Sequence, residues 1–557
     1  MFLKRILFVC CASVLGFSTQ AQSSHTFTYK HTWVDSVYNS LSTKEKIGQL
    51  FMVAAYSGGE KQNDLEILKL LKQNQIGGVI FMQGTAEAQV DLTNLYQQST
   101  KVPLLIAMDA EWGLGMRLTG VRDYPKQMMI AATQNPELMT KIGNAIAEQC
   151  KLMGVHINFA PCVDINNNPK NPVINFRSFG EEKNQVTTFG LAYMNALQNN
   201  GIMACAKHFP GHGDVSVDSH LDLPVINKSK TELAQLELYP FQQLINAGLQ
   251  SVMIAHLSVP ALDNTPNLPS TLSKPIVTDL LQKEMQFDGL IFTDALNMEG
   301  VTKFHPSGYV DLKAFIAGND VLLFSQDVPK AIALFEQAIN DGELTMKRLE
   351  HSVKKILAAK YNAGLTEYIP INALDMTAKL NGSTSDIYQV VANQAVTVYK
   401  DDLKLLDKLT ENTKDLVFVN INGNEKNTSL FEANYPQAEV VTIAAADTAM
   451  NIVAPLLKKW KNKTVVFSIH NLNRYPGNKG YYGLSEVQIA ILNASSKLNK
   501  SVYFVHGTPY IVQQFCDAKT IVIGYEDHLS VQNAMIRVVL NDFEPTGKLP
   551  VSICEKK

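Results

Sequence analysis

The segment that decides the fold is IMACAKH, residues Ile202–His208, an apolar run that ends in two chargeable side chains. Because the run is continuous and does not alternate, it is typical of a strand buried on both faces, as in an all-parallel sheet. The pattern recurs along the chain, and it predicts eight strands: Gln49–Ala55, Gly77–Met82, Pro103–Asp109, His156–Asp164, Ile202–His208, Ser251–His256, Gly289–Asp294 and Asp320–Phe324.

Amphipathic helical patterns lie between these runs, for example at Pro136–Leu152, Lys230–Gly248 and Lys274–Met285. Eight strand–helix units in about 320 residues are what a (β/α)8 TIM barrel requires. A doubly wound sheet is the alternative, but neither G-x-G-x-x-G nor G-x-x-x-x-G-K-[ST] occurs to support it. The sequence therefore predicts an α/β protein whose first domain is a barrel.

The amino-acid composition restricts the class of protein and the kinds of partner. The chain has 557 residues, of which 46% are hydrophobic and 18% charged, as in an ordinary globular protein. Forty-nine Lys+Arg against 52 Asp+Glu give a net charge of −3, which argues against a nucleic-acid partner because phosphate binding needs a basic face.

The N-terminus has the features of a secretory signal peptide. Lys4 and Arg5 precede the apolar run Ile6–Phe17, and Thr19-Gln20-Ala21 supplies small residues at a cleavage site. We expect residues 1–21 to be removed on secretion to the periplasm or beyond. The remaining cysteines, Cys150, Cys162, Cys205, Cys516 and Cys554, have no zinc-like or disulfide-framework spacing, so we interpret them as small buried hydrophobes.

The C-terminal part of the chain predicts a second domain. Five β-rich runs separated by helical segments indicate an open α/β sandwich: Leu416–Asn422, Glu439–Ala444, Thr464–His470, Ser501–His506 and Thr520–Tyr525. The expected organisation is a barrel over residues 22–365, a linker over 366–390 and the sandwich over 391–557.

Chargeable residues end five of the predicted barrel strands: Asp109, Asp164, Lys207-His208, His256 and Asp294. The carboxyl ends of barrel strands form the face on which active sites are built. Any one of these residues alone could be a satisfied core polar group, but five on one rim favour a functional site.

The segment Lys207–His220 is the densest cluster of such residues, and it allows three interpretations. A metal site formed by His208 and His212 is disfavoured as a helical pair because Pro210 and nearby glycines interrupt a helix. A Ser/His/Asp hydrolase is disfavoured because no G-x-S-x-G elbow is present. The third interpretation is an acid/base pair in which Asp218 orients His220 on a mobile loop.

An acid/base pair needs a nucleophile or an activated water. Asp294 ends the run Gly289–Asp294 and supplies a carboxylate on the same rim, where it can attack the anomeric carbon of a sugar. A helix N-cap is the structural alternative for Asp294.

At these residues the sequence resembles glycoside hydrolase family 3, in its bacterial β-N-acetylglucosaminidase branch. The resemblance extends over the barrel through these motifs: Gly77–Phe81, Asp109–Glu111, Phe159–Asp164, Arg177–Gly180, Lys207–His220, Ser270–Ser273, Phe287–Gly289, Thr293–Leu296 and Ala317–Asp320. The most specific of them is the K-H-F-P-G-H-G-D…D-S-H string.

The resemblance implies a retaining exo-acting β-N-acetylglucosaminidase that acts on peptidoglycan fragments, without a cofactor or metal. It implies Asp294 as nucleophile, His220 as general acid/base and Asp218 as its partner. It also implies four contacts to the nonreducing sugar, namely Asp109, Arg177, Lys207 and His208. The alternatives are a β-glucosidase or β-xylosidase of the same family, a β-N-acetylglucosaminide phosphorylase, and an inactive sugar-binding protein.

The sequence departs from the family pattern after Asp109-Ala110-Glu111. The family usually continues G-G-R, whereas here Trp112-Gly113-Leu114 follows and Arg117 comes later. This departure puts some rim contacts in question. Trp112 is either a platform for sugar stacking or ordinary packing.

Overall fold

The computed structural model describes residues 31–59, 61–219, 221–382, 384–410, 415–423, 433–498 and 500–554. The expected signal peptide, residues 1–21, lies outside these ranges. Eight short parallel strands form the first sheet: β1 (Phe51–Ala55), β2 (Gly78–Phe81), β3 (Leu105–Met108), β4 (Ile157–Asn158), β5 (Met203–Phe209), β6 (Ser251–Ile254), β7 (Leu290–Thr293) and β8 (Leu322–Leu323).

The first sheet is a barrel, as predicted. Its strand order is β7-β6-β5-β4-β3-β2-β1-β8, and a parallel bridge between Phe292 and Val321 joins β7 to the start of β8. Nearly every strand residue is buried, because side chains on one face fill the barrel and those on the other pack under helices. All eight predicted strand positions are therefore confirmed.

The barrel is surrounded by helices, and several of their N-termini carry side-chain caps. Asn135 caps the helix that begins with Pro136, and Ser229 and Glu232 form a capping box. The helices of this part are Thr32–Ser40, Thr43–Gly48, Lys61–Asn74, Ala86–Gln98, Gln127–Ala132, Pro136–Leu152, Lys183–Asn199, Lys230–Gln235, Leu238–Asn246, Glu299–Thr302, Tyr309–Ala317, Val328–Asn340 and Met346–Asn362, with a π-helix at Pro275–Glu284 and 3₁₀ turns at Leu114–Met116, Asn175–Arg177 and Ser270–Leu272. The helical pattern at Lys230–Gly248 thus forms two helices.

The second sheet has six strands: β9 (Thr397–Asp401), β10 (Leu416–Ile421), β11 (Glu439–Ile443), β12 (Thr464–Ile469), β13 (Ser501–Val505) and β14 (Thr520–Ile523). Their order is β11-β10-β12-β13-β14-β9, and all pairs are parallel except that of β14 with β9. The five parallel strands follow the 2-1-3-4-5 order of doubly wound domains. The predicted sandwich is confirmed, and β9 is an additional antiparallel edge strand.

Helices cover the second sheet and the stretch that precedes it. They are Met376–Leu380, Thr384–Ala395, Leu405–Lys408, Val453–Trp460, Glu486–Ser495 and Leu529–Val539, with 3₁₀ turns at Met450–Ile452 and Pro509–Phe515. The first of these helices and half of the second fall within residues 366–390, where the sequence predicts a linker. Among the described residues, no helix combines the length and the apolarity needed to cross a membrane.

The cysteine prediction is correct for three residues and wrong for two. Cys150, Cys162 and Cys205 are free and buried, but Cys516 and Cys554 form a disulfide. The bond attaches the C-terminal segment to the second domain. On the way there, this segment crosses the barrel, where the Lys548 amide donates to the Ala132 carbonyl over 2.8 Å.

Candidate active site

A cavity of about 490 Å³ opens at the carboxyl ends of the barrel strands. Asp109 and Asp294 directly follow β3 and β7, and Lys207 and His208 lie near the end of β5. All four line the cavity together with Arg177, which comes from the 3₁₀ turn after β4. Five of the seven site residues predicted from the sequence therefore converge in one place.

An ion-pair network of two carboxylates and three cations forms one wall of this cavity. Lys207 Nζ lies 2.8 Å from Asp109 Oδ1 and 2.8 Å from Glu111 Oε1. Arg117 contacts the other oxygen of Asp109 at 2.6 Å, and Arg177 donates through Nη2 to Glu111 at 2.6 Å. Arg117, which comes later in the chain than the family's usual motif arginine, thus contributes a cation to this wall.

The network favours the charged forms of Asp109, Glu111 and Lys207 through their pKa shifts. Burial alone would raise the pKa of Asp109, but Lys207 and Arg117 outweigh burial and hold it well below its usual range. Burial is likewise outweighed at Glu111, where Arg177 and Lys207 lower the pKa to about 2. Burial would lower the pKa of Lys207, but the two carboxylates raise it. These charge-assisted donors and acceptors suit the hydroxyl groups of a sugar.

His208 links the network to a deeper carboxylate. Its Nδ1 lies 2.6 Å from Asp164 Oδ2 and its Nε2 lies 3.2 Å from Arg177 Nη2. Because a carboxylate only accepts and a guanidinium only donates, the His208 hydrogen sits on Nδ1 and Nε2 accepts. Asp164 also accepts the backbone N–H groups of His208 and His212, so it fixes the whole turn after β5.

Asp294 sits on a turn that the barrel holds in place. Its amide donates to the Ile254 carbonyl, and its Oδ1 accepts from the Ala295 amide over 2.8 Å. His256, which the sequence also places on the rim, contacts the Ala295 carbonyl through Nε2 at 3.0 Å and Thr271 through Nδ1 at 2.6 Å. His256 is buried and positions the turn that carries Asp294.

The loop after β5 carries the other two predicted catalytic residues. His220 lies outside the described residues. Asp218 is half-buried, and Ser219 beside it lines the cavity and lies 3.1 Å from His212 Nε2. Burial first, and then neighbouring His208, lower the pKa of His212 to about 4.

Trp112 also lines the cavity. It is only 4% exposed and packs against Phe176 with ring centroids 5.7 Å apart, which favours packing over an open stacking platform. Arg474 of the second domain lies 5.9 Å from the Trp112 ring centroid and, with Tyr475, lines the same cavity. Both domains therefore build the site.

The sequence assigned no role to Glu111, Arg117, Arg474 or Tyr475. Glu111 had a sequence signal, because it stands two residues beyond Asp109 in a family motif. In the structure it is buried. Arg474 follows β12 after a short loop in a different domain, and nothing in its spacing indicates that it reaches the barrel.

Within the described part of the chain, two groups of side chains have the atoms to hold a metal ion. The first is Cys162, Asp164 and His208 beneath the active-site cavity, where Asp164 is already surrounded by N–H donors. The second is His470, His506 and Asp527 in the sandwich domain. His506 and Asp527 line a second cavity of about 190 Å³, and so does Glu526, which pairs with Lys126.

Comparison with known proteins gives a consistent result. Residues 42–359 match the Glycosyl hydrolase family 3 N terminal domain. The chain is 33% identical over 408 residues to Beta-hexosaminidase A of Pseudoalteromonas piscicida, covering 65% of this chain and 68% of that protein. It is 29% identical over 380 residues to a Beta-N-acetylglucosaminidase/beta-glucosidase of Cellulomonas fimi, covering 66% of each.

A solved structure shares both domains. The glycoside hydrolase family 3 beta-N-acetylglucosaminidase from Paenibacillus sp. str. FPU-7 superposes with a TM-score of 0.78 at 27% identity. The superposition covers 92% of this chain and 99% of that one.

Proposed function

Because this chain belongs to glycosyl hydrolase family 3 and is therefore a glycosidase, we propose that it removes terminal β-linked N-acetylglucosamine with retention of configuration. The observation that carries the proposal is the placement of Asp294 on the same cavity as the Asp109–Lys207–Glu111–Arg177 network. One group can attack the sugar while the network holds its hydroxyls.

The proposed reaction has two steps. In the first, an Asp294 carboxylate oxygen bonds to the anomeric carbon, the glycosidic bond breaks, and His220 gives its proton to the leaving oxygen. In the second, His220 takes a proton from water, the water oxygen bonds to the anomeric carbon, and the Asp294 ester bond breaks. His220 receives this role from the family resemblance and from its place next to Ser219, which lines the cavity.

The network orients the sugar. Asp109 is the member of its carboxylate pair that reaches the cavity surface, with 17% of its side chain exposed against none of Glu111. Asp109 therefore accepts from sugar hydroxyls, while Lys207, Arg177 and His208 fix the wall around it. The fixed charges need no rearrangement when the substrate binds.

Trapping the intermediate tests the mechanism. A fluorosugar that accumulates a glycosyl-enzyme should label the peptide that contains Asp294, as found by mass spectrometry of a digest. A label on any other carboxylate would overturn the assignment of the nucleophile.

Substrate choice is tested separately. Parallel assays with p-nitrophenyl β-GlcNAc and p-nitrophenyl β-glucose should give the larger kcat/KM with the first, and the reverse order would make the protein a β-glucosidase. A matched reaction in phosphate buffer should yield free GlcNAc, and GlcNAc 1-phosphate as the main product would make it a phosphorylase.

Secretion and a peptidoglycan substrate complete the proposal. They are supported by the leader-like residues 1–21 and by the family resemblance. Release of GlcNAc from purified muropeptides by the protein, and its recovery from the periplasm or medium of an expressing bacterium, are the expected results. A purely cytoplasmic protein with an uncleaved N-terminus would contradict the secretion proposal.

A further inference from the structure

We propose that His212 is a positioning residue that holds Ser219, and through it the Asp218–His220 pair, at the active-site cavity. This inference rests on the proposed function, in which His220 is the general acid/base. His212 Nε2 lies 3.1 Å from Ser219 Oγ, and both side chains line the cavity. The proposed reaction uses neither of them, so their contact is available for a role in positioning.

His212 is a fixed point on the turn after β5. Its amide donates to Asp164 Oδ1 over 2.6 Å, and its carbonyl accepts from Asn171 Nδ2 over 2.9 Å. Its ring packs edge-on against that of His208, with ring centroids 5.7 Å apart. Because His212 is only 1% exposed, close packing leaves its imidazole little freedom to turn, and Nε2 stays within reach of Ser219.

The loop after β5 leaves the barrel and returns to the cavity at Ser219. Gly213 lies so close to the barrel that a Cβ there would be 1.7 Å from the Ile165 carbonyl oxygen. Val217 is 45% exposed, whereas Ser219, two residues later, is 2% exposed. An exposed loop therefore brings a buried hydroxyl into the cavity wall, where it needs a hydrogen-bond partner. His212 supplies this partner.

The segment that follows β7 packs on another side of Ser219. Its helix Glu299–Thr302 contains Gly300, where a Cβ would lie 2.8 Å from the Ser219 carbonyl oxygen. A glycine at this position allows the two backbones to approach closely. Because the same segment begins with Asp294, this contact and the hydrogen bond to His212 together fix the position of Ser219 relative to the nucleophile.

The position of Ser219 affects both of its neighbours in the sequence, Asp218 and His220. General acid catalysis requires the proton donor to lie within hydrogen-bond reach of the leaving oxygen, and a displacement of about 1 Å can cost about 100-fold in rate. Without the contact to His212, we expect the loop to adopt other positions, so that His220 is less often in place. The loss should therefore appear in proton transfer to the leaving group.

Leaving groups of different basicity test the proposal. A dinitrophenolate departs without a proton, whereas a 4-methylphenolate needs one from the general acid. We expect Ser219→Ala and His212→Phe each to lower kcat/KM for 4-methylphenyl β-GlcNAc about tenfold, but for 2,4-dinitrophenyl β-GlcNAc by less than about twofold. The double variant should lose no more than either single variant, because both substitutions remove the same contact.

The matched control is Ser216→Ala, which removes an exposed hydroxyl from the same loop and should act as the wild type does on both substrates. His220→Ala is the reference for complete loss of the acid and should lose about 100-fold on the 4-methylphenyl substrate alone. Circular dichroism and urea unfolding confirm that each variant is folded.

The results separate this inference from the proposed function on which it rests. Equal losses on both substrates in His220→Ala would overturn the acid/base role, and the inference with it. If His220→Ala discriminates between the substrates but Ser219→Ala does not, only the positioning role of His212 is overturned. Losses that add in the double variant would overturn that role as well, because the two side chains would then act independently.

Discussion

The two ends of the barrel each contain a buried lysine paired with aspartate, and at the carboxyl end the lysine lines a cavity suited to chemistry. At the carboxyl end, Lys207 pairs with Asp109 and Glu111 on the wall of the 490 Å³ cavity. At the amino end, Lys355 pairs with Asp320 just before β8, where both side chains are almost fully buried. A buried ion pair therefore does not by itself identify a site; its position relative to the strand direction does.

The largest expected effect on activity is found by comparing substitutions at the two ends of a single strand, β7. Asp294 follows β7 at the cavity, whereas Asp288 precedes it on the exposed opposite side. Asp294→Ala should lower kcat by about four orders of magnitude or more, because it removes the nucleophile. Asp288→Ala, the matched control, should keep wild-type kcat in the same p-nitrophenyl GlcNAc assay.

Full turnover by a folded Asp294→Ala protein would reject the mechanism. Loss of turnover with unchanged sugar affinity in calorimetry would exclude the alternative that the protein only binds sugars.

The second prediction compares substitutions of the two buried lysines, Lys207 and Lys355, in stability and in activity. Lys207→Met and Lys355→Met should each lower the free energy of unfolding by about 3 kcal/mol, since each leaves buried carboxylates short of a partner. Only Lys207→Met should also lower kcat/KM, by about 100-fold, equivalent to about 2.7 kcal/mol. Urea unfolding and steady-state kinetics measure the two quantities, and an equal loss of activity in both variants would refute the contrast.

The residues at the carboxyl ends of the barrel strands could be recognised in the sequence for a simple physical reason. Strands buried on both faces are continuous apolar runs, so a chargeable residue marks where the strand leaves the core. Asp109, Lys207 and Asp294 could therefore be placed on one rim before any coordinates existed.

Contacts that form only when the barrel closes, or when the second domain packs on it, could not be predicted from the sequence. Glu111 meets Arg177 across 66 residues, and Arg474 reaches the cavity only because the second domain packs on the barrel. The disulfide joins cysteines 38 residues apart with no spacing signal, which is why the prediction for Cys516 and Cys554 was wrong. Such pairings depend on the three-dimensional path of the chain.

A third prediction uses a lysine at the amino end that has no acidic partner at its ammonium group among the described residues. Lys360 Nζ donates to Gln49 Oε1 over 2.6 Å, and burial lowers its pKa from 10.5 to about 7. Between these values the unfolded chain binds more protons than the folded one. The free energy of unfolding should therefore rise with pH, by up to about 1.4 kcal/mol per unit.

Lys360→Met should remove this rise, whereas Lys347→Met, an exposed change on the same helix, should leave it. The measurement is urea unfolding between pH 7 and 10, with each variant compared with the wild type. Parallel curves for Lys360→Met and the wild type would show that Lys360 stays protonated in the folded protein.

The smallest effect concerns Arg117, the cation that lies on the exposed side of the active-site network. Lys207 still holds one oxygen of Asp109 when Arg117 is removed, so the carboxylate stays ionised but loses its second anchor. Arg117→Ala should therefore raise KM for p-nitrophenyl GlcNAc about tenfold, equivalent to about 1.4 kcal/mol, with kcat changed little. Arg117→Lys should recover part of the loss, because a single ammonium replaces the charge but not the planar fork. A fall in kcat/KM as deep as the about 100-fold loss expected for Lys207→Met would mean that the active-site wall depends on Arg117 as fully as on the buried lysine.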